Sequence, residues 1–250
     1  MSKRFKLAPE QIRRLIPSLG GCIATDSITV EGRPAQYMSR SAPHNSQDSG
    51  WLITAGESEA ELKPEDVSVY DLNTIANYDP AIIRFLTYPV GTQVVMGENQ
   101  SLVAVGNPAP PNVILLPGVE AGPTSFTANW SAKAQGTLLR RVEDDQLVLW
   151  RPNLTFWVSA LSGRADTPAA NLAHHTASMS PNAFDVRRWQ QHGTHSALYR
   201  VNESEGGHVQ ASAQAIHCHA DRVLIAAAYF DDQAAETEAL SFLTSITAVA

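Results

Sequence analysis

The run from Asp71 to Pro80, Asp-Leu-Asn-Thr-Ile-Ala-Asn-Tyr-Asp-Pro, constrains the fold of this chain more tightly than any other segment. Proline lacks an amide hydrogen and holds φ near one value, so Pro80 fits the first turn of a helix and not its interior. Asp79 stands just before it, where a carboxylate caps free helix amides. Ala81, Ile82 and Ile83 then carry the helix on. Asp71 and Asn73 read as turn and cap residues. The segment is polar yet specifies a shape, which points to a small α/β module.

The chain has 250 residues, 44% hydrophobic and 17% charged, enough for one large domain or two ordinary ones. Its net charge is −7, with 9 basic and 12 acidic residues in 1–105 and 9 and 13 in 106–250. Both halves are mildly acidic and no basic stripe exists, which argues against nucleic acid or a membrane surface as partner. The basic start, Met1 to Lys6, is followed by no long apolar run, and no stretch of 18 apolar residues occurs. The reading is therefore no signal peptide, no transmembrane helix and a cytoplasmic address. Cys22 and Cys218 read as buried free thiols.

Apolar periodicity predicts a short helix over 8–16, strands at 22–24, 27–30, 35–39, 51–55 and 67–72, helical turns over 73–87, and a strand at 92–96. Residues 106–127 are rich in proline and glycine and read as a linker. Beyond it, Asp144-Asp145 is placed as a hairpin turn, 155–161 as a strand, and Thr167 as the cap of a helix opened by Pro168. Strands at 184–190, 194–201, 209–217 and 222–230 and a helix over 232–247 follow. The expected fold class is α+β: a mixed α/β domain at 1–105, the linker at 106–127, and an antiparallel sheet packed with helices at 128–250.

No motif of catalysis stands out. Ser58 lacks the second glycine of a nucleophile elbow, Cys22 has no basic neighbour to lower its pKa, and no phosphate-binding loop occurs. His217 and His219 share one face of a strand and leave metal binding open, with His174, His175 or His195 as further ligands. Satisfied histidines on a sheet face are the simpler reading. His174 and His175 are adjacent on a helix and diverge. Trp51, Tyr70 and Tyr78, and Trp130, Trp150, Trp157 and Trp189, are either interface anchors or core. The acidic stretch of Glu57, Glu59, Glu61, Glu65 and Asp66 is either a solvated face or a docking surface for a basic partner.

Four segments together, Gly21 to Asp26, Tyr37 to Arg40, Asp48-Ser49-Gly50-Trp51 and Tyr70 to Pro80, resemble the immunity protein thirty-three-like domain over about residues 20–100. That resemblance implies a bacterial protein that protects against a polymorphic toxin, type VI-secreted toxins included. It implies a non-enzyme that needs no cofactor or metal and binds the toxin stoichiometrically, covering its active site. Asp48, Trp51, Glu57, Glu59, Glu61, Glu65 and Asp66 are the expected contacts. An effector-loading adaptor or chaperone, and a metal-dependent enzyme or binder using the later histidines, are the alternatives. The second half resembles a PsbP-like or DcrB-like unit in pattern only.

Overall fold

A computed structural model describes residues 3–57, 62–106, 108–205 and 208–249, in two compact units, 1–118 and 119–250. Strands predominate and helices are few, as an α+β class requires.

The first unit runs β1 (Gly21–Thr25), α1 (Asp26–Thr29), β2 (Tyr37–Arg40), β3 (Asp48–Thr54), β4 (Val67–Asp71), α2 (Leu72–Tyr78), β5 (Gln93–Met96) and β6 (Leu102–Ala104). The sheet order is β4-β1-β3-β2-β5-β6. Only β1 and β3 run parallel; the other neighbours are antiparallel. Register separates the two faces of this sheet. Ala24, Ile53, Met38 and Val94 form one row across it, and all four are fully buried. The adjacent row, Val69, Ile23, Leu52, Ser39 and Gln93, points the other way. Helices α1 and α2 pack against β1, and Ile28, Leu72, Ile75 and Ala76 are buried with the first row.

The polar run that opens the sequence argument is a clasp. Asp71 caps α2 by accepting from the Asn73 amide at 2.8 Å. Asp79 accepts from the Ala81 amide at 3.0 Å and caps a 3₁₀ helix, Pro80–Phe85. It also accepts from the Ala35 amide at 2.9 Å. Asn73 Oδ1 accepts from the Leu15 and Ile16 amides at 2.8 and 3.2 Å, and its Nδ2 donates to the Arg13 carbonyl at 2.7 Å. Asn77 accepts from the Arg13 amide at 2.9 Å and donates to the Arg13 carbonyl at 2.8 Å. Tyr78 Oη accepts from the Leu7 amide at 3.3 Å.

This clasp explains one departure from the expected elements. The segment 8–16 keeps only a 3₁₀ turn, Pro9–Gln11, instead of a longer helix. The asparagines of α2 take the backbone groups that helix bonds would have used. A second departure is 27–30, read as strand from its β-branched residues. It is the helical turn α1, closed by the Val30 amide donating to the Asp26 carbonyl at 2.7 Å and shielding Ile28 and Thr29. Local strand propensity gives way to burial there.

In the stretch read as a linker, β7 (Val113–Val119) and β8 (Gly122–Ser125) are strands, and Gly122 opens β8 with φ +111°. The second unit continues through β9 (Trp130–Ala134), β10 (Leu138–Glu143), β11 (Gln146–Arg151), β12 (Leu154–Ser162), α3 (Pro168–Thr176), β13 (Phe184–Gln191), β14 (Thr194–Glu205), β15 (His208–His219), β16 (Arg222–Phe230), α4 (Gln233–Thr244) and β17 (Thr247–Ala248). Its main sheet holds β13-β14-β15-β16-β12-β11-β10, antiparallel throughout. Strands β17, β9 and β8 make a separate small sheet. Asp144 and Asp145 adopt φ +48° and +62°, the left-handed pair that a two-residue hairpin needs. Thr167 caps α3 at the Ala170 amide and Asp232 caps α4 at the Ala235 amide, as their positions predict.

Helix α4 covers one face of the main sheet and α3 the other. Phe242 of α4 packs on Phe156 and Phe126 with ring centroids 4.5 and 5.6 Å apart. Ala213, Ala215, Ala226 and Ala228 leave room for the helix above them. Arg151 pairs with Glu238 and Arg200 with Glu236, tying α4 to β11 and β14.

Two stability outcomes follow from this packing. Phe242→Ala empties space at the core and is expected to cost about 3–5 kcal/mol in urea unfolding. Asn73→Ala strands the Leu15 and Ile16 amides, while Asn77 still serves the Arg13 carbonyl, and is expected to cost roughly 2–3 kcal/mol by the same measurement.

Candidate functional site

The acidic set splits into two places. Glu65 and Asp66 lie exposed in a 3₁₀ turn, Pro64–Asp66, just before β4. Nearby, Lys3 Nζ donates to Asp26 at 2.9 Å, to Ser68 Oγ at 3.1 Å and to the Glu65 carbonyl at 3.4 Å. Glu57 is held inward. It accepts from Ser27 Oγ at 2.6 Å and the Ala55 amide at 2.8 Å, with Arg33 at 3.5 Å. Burial works to raise the Glu57 pKa, but the Ser27 hydroxyl, backbone amides and Arg33 outweigh it and leave the carboxyl below its usual range. Glu59 and Glu61 lie outside the described residues.

Asp48 is at the opposite end of β1. Gly21 registers with Asp48 of β3 on one side and with Asp71 of β4 on the other. The carboxyl of Asp48 accepts from the His44 and Gly50 amides, each at 2.8 Å, and lies 3.1 Å from His44 Nδ1. The two amides, together with His44, hold it below the ordinary carboxylate range. A groove of about 910 Å³ opens here, lined by Ser18–Ile23, Asn45–Asp48 and Val69–Asp71. Its lining includes two carboxylates and no lysine or arginine.

Backbone geometry builds this groove. Gly50 has φ +75°, and a Cβ there would sit 2.0 Å from the Ser41 carbonyl. Gly20 has φ +90°, and its Cβ would meet the Gln47 carbonyl at 2.6 Å. Neither position accepts a side chain without moving the loop. Gly50→Ala is expected to destabilise the protein by about 2 kcal/mol or more and to broaden the amide signals of 41–50 in NMR spectra.

Trp51 is core, 1% exposed, with Nε1 donating to the Leu86 carbonyl at 3.3 Å and the Arg40 guanidinium over its ring. That side chain presents no surface to a partner, although the segment carrying it lies beside the groove. The side chains that do are Val69 and Ile23, 75% and 44% exposed. They were missed because a single valine or isoleucine inside a strand looks the same whichever face it takes. The signal was the alternation Cys22-Ile23-Ala24, whose outer members are buried.

Cys22 and His217 are buried, and His219 is bonded within its sheet. Burial pushes the Cys22 thiol up to about 12, with Asp71 and Asp48 adding to the effect, the reverse of what an activated nucleophile needs. His217 is fully buried, with Ser196 Oγ 2.9 Å from Nδ1 and the rings of Trp130 and Trp189 at 6.2 and 5.8 Å. His219 lies on the same strand with Nδ1 3.1 Å from Thr194 Oγ1. Among the described residues, no three His, Cys, Asp or Glu side chains gather closely enough to hold a metal ion. No described helix is long and apolar enough to cross a membrane.

Burial lowers the His217 pKa from 6.5 to about 4, against a smaller opposite pull from the Leu243 backbone. Between those values the unfolded chain binds a proton that the folded chain refuses. Stability from this group is therefore full above 6.5 and is lost as pH falls toward 4, by roughly 3 kcal/mol. Urea midpoints at pH 7 and 4.5 are expected to differ less in His217→Gln than in the native chain.

Residues 22–106 match the family model described as the immunity protein Imm33 domain. The match covers all of the first sheet beyond Gly21. No curated protein matches the chain. Among solved structures, LpqN, described as involved in cell envelope biogenesis of Mycobacterium tuberculosis, is 15% identical, with a TM-score of 0.29. The alignment covers 56% of this chain and 93% of LpqN, and at that score it carries no structural argument. The PsbP-like or DcrB-like pattern of the second half is not confirmed by these comparisons.

Proposed function

We propose that this chain is an immunity protein that binds a cognate toxin and neutralises it by stoichiometric occlusion. The observation that carries this reading is the Imm33 match over residues 22–106, a domain named for immunity, which makes a toxin the general class of partner. Supporting it is a sheet packed on one side by helices, with exposed apolar side chains and two carboxylates on the other. Occlusion makes and breaks no bond, so the protein needs no nucleophile, metal or cofactor. The toxin would be met in the cytoplasm, and delivery by a type VI system is one route that fits.

An acidic surface favours a basic toxin, because complementary charge raises association rates and excludes wrong partners. Exposed Glu65 and Asp66 suit that steering role better than Glu57, whose carboxyl is engaged within the fold. Replacing both Glu65 and Asp66 by lysine is expected to slow toxin association by about threefold to tenfold at low salt, and by less at 0.5 M salt. Stopped-flow association rates would show it.

The deciding experiment purifies the tagged chain from its native cells and expresses each co-purifying protein with and without it. One near-stoichiometric partner that kills alone and is harmless when co-expressed establishes immunity. A retained partner that is harmless alone would favour the adaptor or chaperone alternative instead.

A further inference from the structure

We propose that the β1–β4 end of the first sheet is the docking surface, and that its occupant is a basic, extended segment of the partner that adds as a strand beside β4. This rests on the immunity reading and names the surface through which a toxin is held.

Three observations converge there. First, β4 ends the sheet order, so its outer backbone groups have no strand neighbour among the described residues. An extended peptide can complete such an edge with main-chain hydrogen bonds. Second, the open face beside that edge is apolar. Val69 registers with Ile23, and the two form an adjoining exposed pair. Third, the charge is one-sided. Asp71 is exposed, and across Gly21 stands Asp48, about two strand spacings or roughly 10 Å away. The other end of β1 is different, because Lys3 and Arg33 already pair with Asp26 and Glu57. At the groove end the lining holds no lysine or arginine, and Asp48 is bonded to the imidazole of His44.

Register turns this into a sequence preference. Val69 and Asp71 are two residues apart on one strand and share a face. A strand added beside them places an apolar side chain against Val69 and, two residues along, a lysine or arginine against Asp71. The occupant therefore carries an apolar residue and a cation at i and i+2. An acidic or all-polar strand loses both contacts.

The test uses the full chain and two synthetic peptides, acetyl-Thr-Val-Thr-Lys-Thr-amide and the same peptide with Glu in place of Lys. Backbone amide shifts are followed by NMR. The lysine peptide is expected to bind saturably, at least about fivefold tighter than the glutamate peptide, with shifts centred on 67–71. Asp71→Asn keeps a good helix cap and is expected to abolish the preference for lysine. Val69→Lys is expected to weaken the lysine peptide by about tenfold. Equal binding of the two peptides, no binding of either, shifts elsewhere, or a preference that survives Asp71→Asn overturns the proposal. The same variants are then co-expressed with the co-purified toxin. Undiminished protection by Val69→Lys overturns the docking surface and leaves immunity standing. Lysine-peptide binding as expected, with no protection from any co-purified protein by the native chain, overturns immunity and leaves the surface standing.

Discussion

The first unit depends on two asparagine side chains doing the work of a strand partner. Residues 13–16 run along α2 outside any helix or strand, and such a segment must find hydrogen bonds for its backbone. Asn73 and Asn77 supply them, with donors and acceptors on one helix face, four residues apart. Asp71 and Asp79 fix the two ends of that helix. The helix in turn buries Leu72, Ile75 and Ala76 beneath the sheet. A polar decapeptide is thus committed to architecture, which is why none of its conspicuous residues except Asp71 reaches a surface useful to a partner.

That commitment decides where function can sit. One face of the sheet is sealed by helices and by the row through Ala24 and Ile53. The other carries Val69 on the edge strand and Ile23 beside it on β1, apolar groups left in water. Apolar side chains at an open edge invite association unless something blunts them, and two carboxylates stand beside these. A carboxylate deters most partners and favours a cationic one, so the same feature protects against self-association and selects a ligand.

Charge alone would have directed attention elsewhere. The densest run of acids in the sequence is 57–66. Of its described members, Glu57 is consumed by Ser27, Ala55 and Arg33, which leaves Glu65 and Asp66 as its exposed charges. A partnered charge such as Glu57 contributes little net field. The pair at Gly21 is sparser in sequence, and no lysine or arginine lines the groove it borders.

Much of the chain was legible before folding. Asp79 before Pro80, Thr167 before Pro168, and Asp144-Asp145 between apolar runs are local signals, because caps and tight turns are satisfied within a few residues. The alternating strands of the second half, and the thiols at Cys22 and Cys218, followed from pattern in the same way. The helix expected at 8–16, the strand expected at 27–30, and the strands at 102–104, 113–119, 122–125 and 130–134 were not legible. Their conformations answer to partners distant in sequence, as when Asn73 claims Leu15. Trp51 shows the same limit, since its type fits both an interface anchor and a core residue. The sequence by itself determined the fold class, the helix caps and the immunity-domain segments, because those depend on neighbours along the chain. Only the tertiary structure decided which face of β1 is open, which carboxylates lack cations, and which strand ends the sheet. Those depend on register between strands dozens of residues apart, where a shift of one residue would turn every side chain to the opposite face.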